Sequence, residues 1–276
     1  MVYEANLIGK LKDSREIYEV CASLDKQIPA FERAGIKHPF LASPDEVALI
    51  RLDKLSNDWS RTCMAPVKVK GKPTILTAIS PFMNPIMAAI AVDFHKKNQY
   101  PTLPEISYEL LETEAKAQSS LTPEDRTTHI LEGKADSGGK FYLTPEMDDS
   151  RFILKKHVQR YFGQFKHSQI PFFDLPDDAS KGQAFVNYLW FSGPRDGSGL
   201  SARYRGLGDG LRAFGVRGKT SKAGSQNSGY NLTNIRNASD EAIKQTLGEM
   251  NITGMLGFGL QKRNTGNLLE ILRKKQ

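Results

Sequence analysis

A chain of 276 residues with 39% hydrophobic, 9% aromatic and 25% charged residues is long enough to bury a core. Its composition excludes a disordered tail, a collagen-like rod and a disulfide scaffold. The longest largely apolar stretches, Pro85 to Val92 and Phe185 to Phe191, are far shorter than the roughly 20 residues that cross a bilayer, so no membrane helix is expected.

The formal net charge of +7 is unevenly spread: residues 1–150 hold 18 Lys/Arg against 22 Asp/Glu, giving −4, whereas residues 151–276 hold 20 against 9, giving +11. Residues 104–150 are the most acidic part, with 11 acids and 4 bases, and are expected to face water or a basic neighbour. The basic half directs attention to an acidic or polyanionic partner. Cys21 and Cys63 are the two cysteines, in no metal-ligand spacing, and read as reduced thiols. No basic segment leads into an apolar run at the start, so a cytoplasmic protein is expected, or a virion one if it is coat-like, and not a secreted one.

In chain order, Asp13 to Glu16 resembles a capping box before a helix with Ile17, Val20, Cys21, Leu24 and Ile28 on one face. Ser43-Pro44-Asp45-Glu46 opens a second helix with cap, proline and glutamate in their usual places. The stretch 66–79 alternates around Gly71 as a small β-hairpin would. Four further helix starts follow: Asn84-Pro85, with Ile86, Met87, Ile90, Ala91 and Phe94 inward; Pro104-Glu105, with Ile106, Leu110 and Leu111 inward; Thr122-Pro123; and Thr144-Pro145. The last is the longest, burying Leu154, Val158, Tyr161, Phe162 and Phe165 and leaving Arg151, Lys155, Lys156 and Arg160 as a basic flank. Asp177-Asp178 is expected to cap a helix burying Ala184, Phe185, Tyr188 and Leu189. After the loop described next, helical pattern resumes from Asp240, and a basic-ended helix closes the chain at Asn267 to Lys275. The expected fold is therefore mainly α: a neutral-to-acidic helical lobe, 1–143, carrying the hairpin, and a basic helical lobe, 144–276.

Residues 193–229 contain ten glycines, seven bases and two acids and no helical or strand periodicity, which predicts a long loop. Structureless loops beyond about 15 residues are uncommon in compact domains unless they function or are disordered. Ala213 to Thr220 satisfies a loose phosphate-loop pattern, but neither a preceding strand nor a following helix is expected there, so nucleotide hydrolysis is not. The loop instead interleaves cations with rings. Arg195, Arg203, Tyr204, Arg205, Arg212, Phe214, Arg217, Lys219 and Lys222, extended by Lys155, Lys156 and Arg160, combine phosphate-neutralising groups with faces on which bases stack. The plainer reading of the same residues is that Tyr204 and Phe214 plug the core while the arginines solvate the loop.

The five histidines, His38, His95, His129, His157 and His167, show no metal-site spacing, and Asp148-Asp149 is explained by its place at a helix start. No cofactor, metal or catalytic residue is assigned. The function expected is sequence-tolerant binding of single-stranded nucleic acid, RNA before DNA, by a coat- or nucleocapsid-like protein that self-associates through its lobes or its C-terminal helix. Two alternatives stand beside it: a basic scaffold that docks acidic proteins, and a metal-independent ribonuclease using His157 or His167.

Overall fold

The computed structural model describes residues 4–10, 36–38, 41–53, 59–83, 85–164, 168–177, 182–193, 198–203 and 212–217; for 4–10, 36–38, 85–86 and 212–217 it describes the backbone alone. The elements are β1 (Glu4–Lys10), β2 (Ile36–His38), α1 (Pro44–Leu52), β3 (Ser60–Arg61), β4 (Ala65–Lys68), β5 (Ile75–Thr77), α2 (Pro85–Lys96), β6 (Thr102–Pro104), α3 (Glu105–Ala117), β7 (Thr128–Ile130) and β8 (Lys140–Leu143). Then come α4 (Asp148–Leu154), α5 (Val158–Gln164), β9 (Ile170–Phe173), β10 (Gln183–Val186), β11 (Trp190–Phe191), β12 (Leu200–Ser201) and β13 (Arg212–Arg217).

The strands form two sheets. The larger runs β1-β13-β3-β11-β12-β9-β8, with β2 also on β13, and the smaller runs β6-β10-β4-β5-β7. The mainly α expectation is thus corrected to a mixed α and β architecture, and the helical coat- or nucleocapsid-like protein drawn on it falls with it. The reason lies in strand length. Most of these strands have two to four residues, too few for alternation to outweigh the cap-and-proline signals that flank them.

Strands from both sides of residue 143 share the larger sheet. Its inner residues Phe141, Leu143, Ile170, Phe172, Phe191 and Leu200 pack with Val47 and Ile50 of α1, Phe152 and Ile153 of α4, and Tyr161 and Phe162 of α5 in one core. A second core joins Val67, Ile75, Ala184 and Val186 of the smaller sheet to Met87, Ala88 and Ala91 of α2 and to Tyr108 and Leu111 of α3.

The local grammar explains α1: the Ser43 backbone N–H donates to the Glu46 carboxylate at 2.8 Å, the reciprocal half of a capping box. The alternation over 66–79 becomes the antiparallel pair β4–β5, with Val67 opposite Ile75 and Gly71 in the turn at φ 75°. These are two strands of a five-stranded sheet.

Elsewhere the elements differ from those expected. Thr122-Pro123 opens only a single 3-10 turn, Pro123–Asp125. In α3 the buried side chains are Tyr108, Leu111 and Ala115, while Ile106 is exposed. The segment expected as a helix around Ala184 is strand β10, in which Ala184 and Val186 are buried alternately with exposed Gln183 and half-buried Phe185. Two residues on one face at spacing two fit a strand; Phe185 and Leu189 merely share the spacing of a helix. The single long helix after Thr144-Pro145 is two helices, α4 and α5, separated by a 3-10 turn at Lys155–His157. Lys155 sits there at φ 45° and ψ −128°, a conformation that strains any side chain and favours glycine. The stretch 193–229 carries strands β12 and β13. The helices expected at 13–28 and after 240 lie outside the described residues.

Candidate binding face

The side of β8, β9 and β12 turned away from the core follows from the pleat. Along β8, Phe141 and Leu143 are buried, while Lys140 is half-buried and Tyr142 is 45% exposed. Along β9, Ile170 and Phe172 are buried, and Pro171 and Phe173 are half-buried. Register then sets neighbours: Lys140 lies opposite Phe173 and Tyr142 opposite Pro171, and Ser201 of β12 pairs with Phe173 from the other side. Arg203 lies two residues past the end of β12 and reaches the same side, its guanidinium over the Phe173 ring. The close approach of β12 to β9 needs a glycine just before it, since a Cβ on Gly199 would lie 2.5 Å from the Pro171 carbonyl oxygen.

These four side chains are in contact. The Lys140 ammonium stands 4.9 Å from the Tyr142 ring centroid and 5.6 Å from that of Phe173, and the Arg203 guanidinium carbon stands 5.1 Å from the Phe173 centroid. All three are cation–π distances. Arg203 is positioned from beneath. Its carbonyl accepts the Asn187 Nδ2 at 2.9 Å and the Trp190 Nε1 at 3.2 Å, and its N–H donates to Ser201 Oγ at 3.2 Å. Its guanidinium packs over Gly139, where a Cβ would come within 3.4 Å of Nη2 and where φ is +68°. That turn is tied by Asp136, whose Oδ1 accepts the N–H groups of Gly138 at 2.8 Å and Lys140 at 2.9 Å. Among the described residues, neither the Lys140 ammonium nor the Arg203 guanidinium forms an ion pair with a carboxylate.

The helical flank differs. Arg151 donates to Glu124 from Nε at 2.9 Å and Nη2 at 3.1 Å, and Lys155 Nζ donates to the Glu124 carbonyl at 2.6 Å. Burial pushes the Glu124 carboxyl up, yet the Arg151 hydrogen bonds and its own backbone outweigh that and hold it below its ordinary value. Arg160 pairs with Asp53 at 3.0 Å, and Lys156 is exposed. Of the other expected binding residues, Arg195, Tyr204, Arg205, Lys219 and Lys222 lie outside the described residues. Arg212, Phe214 and Arg217 fall on the backbone of β13, which pairs antiparallel with β1. Strand β13 also runs through the phosphate-loop pattern, where such a motif would need a loop.

The sequence reading missed Lys140, Tyr142 and Phe173. Their signal is present but short: Lys140-Phe-Tyr-Leu143 and Ile170-Pro-Phe-Phe173 alternate for four residues each. It also missed a buried histidine and carboxylate 20 positions apart. His129 Nε2 lies 2.7 Å from Asp149 Oδ1, and Arg126 Nη1 lies 3.1 Å from His129 Nδ1. Arginine only donates, so Nδ1 accepts and Nε2 carries the proton given to Asp149. Asp149 also accepts the N–H groups of Glu132 at 3.1 Å and Gly133 at 2.9 Å. With His129 2% and Asp149 0% exposed, this pair cannot meet a substrate and instead joins β7 to α4. Another sealed group is Cys63, whose thiol burial pushes far up, with Glu46 and Asp45 adding to it.

Among the described residues, no helix is long and apolar enough to cross a membrane, and no group of three His, Cys, Asp or Glu is placed to hold a metal ion. No family model matches the chain, and no curated protein matches it. A solved structure described as "Accommodation of massive sequence variation in Nanoarchaeota by the C-type lectin fold" is similar with a TM-score of 0.49 at 15% identity, over 78% of this chain and 97% of that one.

Proposed function

We propose that the protein is a non-enzymatic binding protein for a polyanionic strand, single-stranded nucleic acid, and that Lys140 and Arg203 form part of its contact surface. The observation that carries this reading is the state of those two cations: both lie on one sheet face against Phe173, and neither has a described carboxylate. The +11 charge of residues 151–276 supports it, since phosphate neutralisation supplies most sequence-independent affinity for nucleic acid. An arginine held over a ring, its backbone fixed by Asn187 and Trp190, is pre-ordered for a phosphate, so little side-chain entropy is lost on binding.

The test is fluorescence anisotropy of a labelled single-stranded oligodeoxynucleotide titrated with the protein. Between about 50 and about 200 mM salt, affinity should fall by an order of magnitude or more. Absence of binding at the lower salt, or affinity indifferent to salt, overturns the reading. Tight salt-dependent binding to an acidic protein in place of the oligonucleotide overturns it in favour of a docking scaffold.

A further inference from the structure

Among the described residues Tyr142 is the one exposed ring on this face, and its position is determined by three independent features. The β8 pleat turns it outward between buried Phe141 and Leu143. Register sets it opposite Pro171, whose ring is small and offers it little cover. Lys140, two residues back on the same side, holds its ammonium 4.9 Å from the ring centroid. Among the described residues β8 is the last strand of the larger sheet in its pairing order, so Tyr142 stands at the edge of the described sheet. Its phenol forms no hydrogen bond with a described residue. A tyrosine that were merely the outer layer of the core would be covered; this ring is 45% exposed.

We infer that Tyr142 is a base-stacking residue that makes this face discriminate a single strand bearing bases from a plain polyanion. The inference rests on the strand-binding reading above and deepens it: Lys140 and Arg203 would meet phosphates, and Tyr142 would meet a neighbouring base. The chemistry fits the order of groups along the face. The order along the face is Tyr142, Lys140, Phe173, Arg203, so an exposed ring stands beside a cation as a base stands beside a phosphate in a strand, and a duplex presents no free base face to such a ring. A polyphosphate or sulfated polysaccharide would use the two cations and leave the tyrosine idle. The Lys140 ammonium over the ring also fixes its orientation, so less freedom is lost when a base stacks.

The experiment uses the full chain and three probes of matched charge: a single-stranded oligodeoxynucleotide, an abasic strand of the same length, and inorganic polyphosphate. The unsubstituted protein should bind the base-bearing strand about 5- to 100-fold more tightly than the other two, the range expected for one stacked base. Tyr142→Ala should bring all three affinities together with the salt dependence unchanged, whereas Tyr142→Phe should keep the preference. Tyr142 is exposed, so neither substitution threatens folding, and circular dichroism of the variants checks this. If the unsubstituted protein binds the three probes alike, or Tyr142→Ala retains the preference, the stacking role is overturned while the strand-binding reading stands. If no probe binds even at low salt, both are overturned together.

Discussion

Arg151, Lys155 and Arg160 on the helical flank, and Lys140 and Arg203 on the outer sheet face, are cations of the same kinds in different states. On the flank Glu124 and Asp53 occupy Arg151 and Arg160, and the Glu124 carbonyl occupies Lys155. On the sheet face the companions are Tyr142 and Phe173. Glu124 comes from the acidic stretch 104–150, so part of the charge asymmetry read from sequence is cancelled within the molecule, at the flank. What the flank shows is that a basic run on a helix is not thereby a polyanion surface. The discriminating feature is whether a carboxylate from elsewhere in the fold reaches it, and that is a tertiary property.

The comparison breaks first if the sheet face is really core. Phe172 and Phe173 are consecutive on β9 and point to opposite sides. Phe172→Ala should lower unfolding free energy by about 3–5 kcal/mol, as buried phenylalanine truncations do. Phe173→Ala should cost less, about 1–2 kcal/mol, since the ring is half-buried and holds two cation–π contacts of about 0.5–1 kcal/mol each. Urea denaturation of both variants measures this. Equal losses would mean that Phe173 is a structural ring and that its two cations are packing against the core.

A third cation marks what a sealed pairing looks like. Lys68 on β4 donates from Nζ to Asp174 at 3.3 Å and to the Leu175 carbonyl at 3.2 Å, while Thr74 donates to Asp174 at 2.6 Å, joining the two sheets. Their side chains are 13% and 10% exposed. Lys68→Ala should destabilise by about 3 kcal/mol because it strands a mostly buried carboxylate. Arg160→Ala should cost no more than about 1 kcal/mol, since that pair is in water. Similar costs for the two, in thermal unfolding, would erase the distinction between structural and surface pairing.

Binding separates the two regions directly. Replacing Lys140 and Arg203 together with alanine should lower the slope of log affinity against log salt by about 1.4 for a single-stranded oligonucleotide, two phosphate contacts at about 0.7 each. Replacing Lys155 and Arg160 together should leave the slope as it was. The reverse result would return the binding surface to the helical flank.

How much of this was legible beforehand follows the length of each signal. Ser43 to Glu46 is a four-residue grammar complete in itself, and it gives α1. The pattern at 66–79 is two strands around one glycine, and it gives an antiparallel pair. Strands β3, β11 and β12, of two residues each, have no period to read; they exist because neighbours distant in sequence supply their hydrogen bonds. The site followed the same rule. Arg203 stood out among glycines and arginines, but the turn at Gly138–Gly139 over which its guanidinium packs and the ring of Phe173 beneath it are brought there by pairing of β8, β9 and β12. Lys140 and Tyr142 were hidden inside an acidic stretch that, as a whole, does not look like a polyanion surface. Nor does lysine at position 155 announce a glycine-like backbone; at that break in the helix its Nζ donates to the Glu124 carbonyl, a partner 31 positions away.

The smallest expected effect concerns His157, beside the flank. Burial holds its pKa below the ordinary 6.5; Asp45 and Asp53 pull it up, and Lys156 and Arg160 push it down. The folded chain therefore takes up this proton less readily than the unfolded chain. Its contribution to stability is present above about pH 6.5 and erodes as pH falls toward the folded-state value, because the unfolded state then binds more protons. His157→Gln should flatten the pH dependence of unfolding free energy between about pH 7 and about pH 5, the range over which histidine changes charge. The same substitution should leave oligonucleotide affinity unchanged, because His157 lies on the flank where Arg151, Lys155 and Arg160 are already occupied. A variant with the parent's pH profile would show that His157 is as solvated when folded as when unfolded. A variant with weakened binding would draw the flank back into the contact surface.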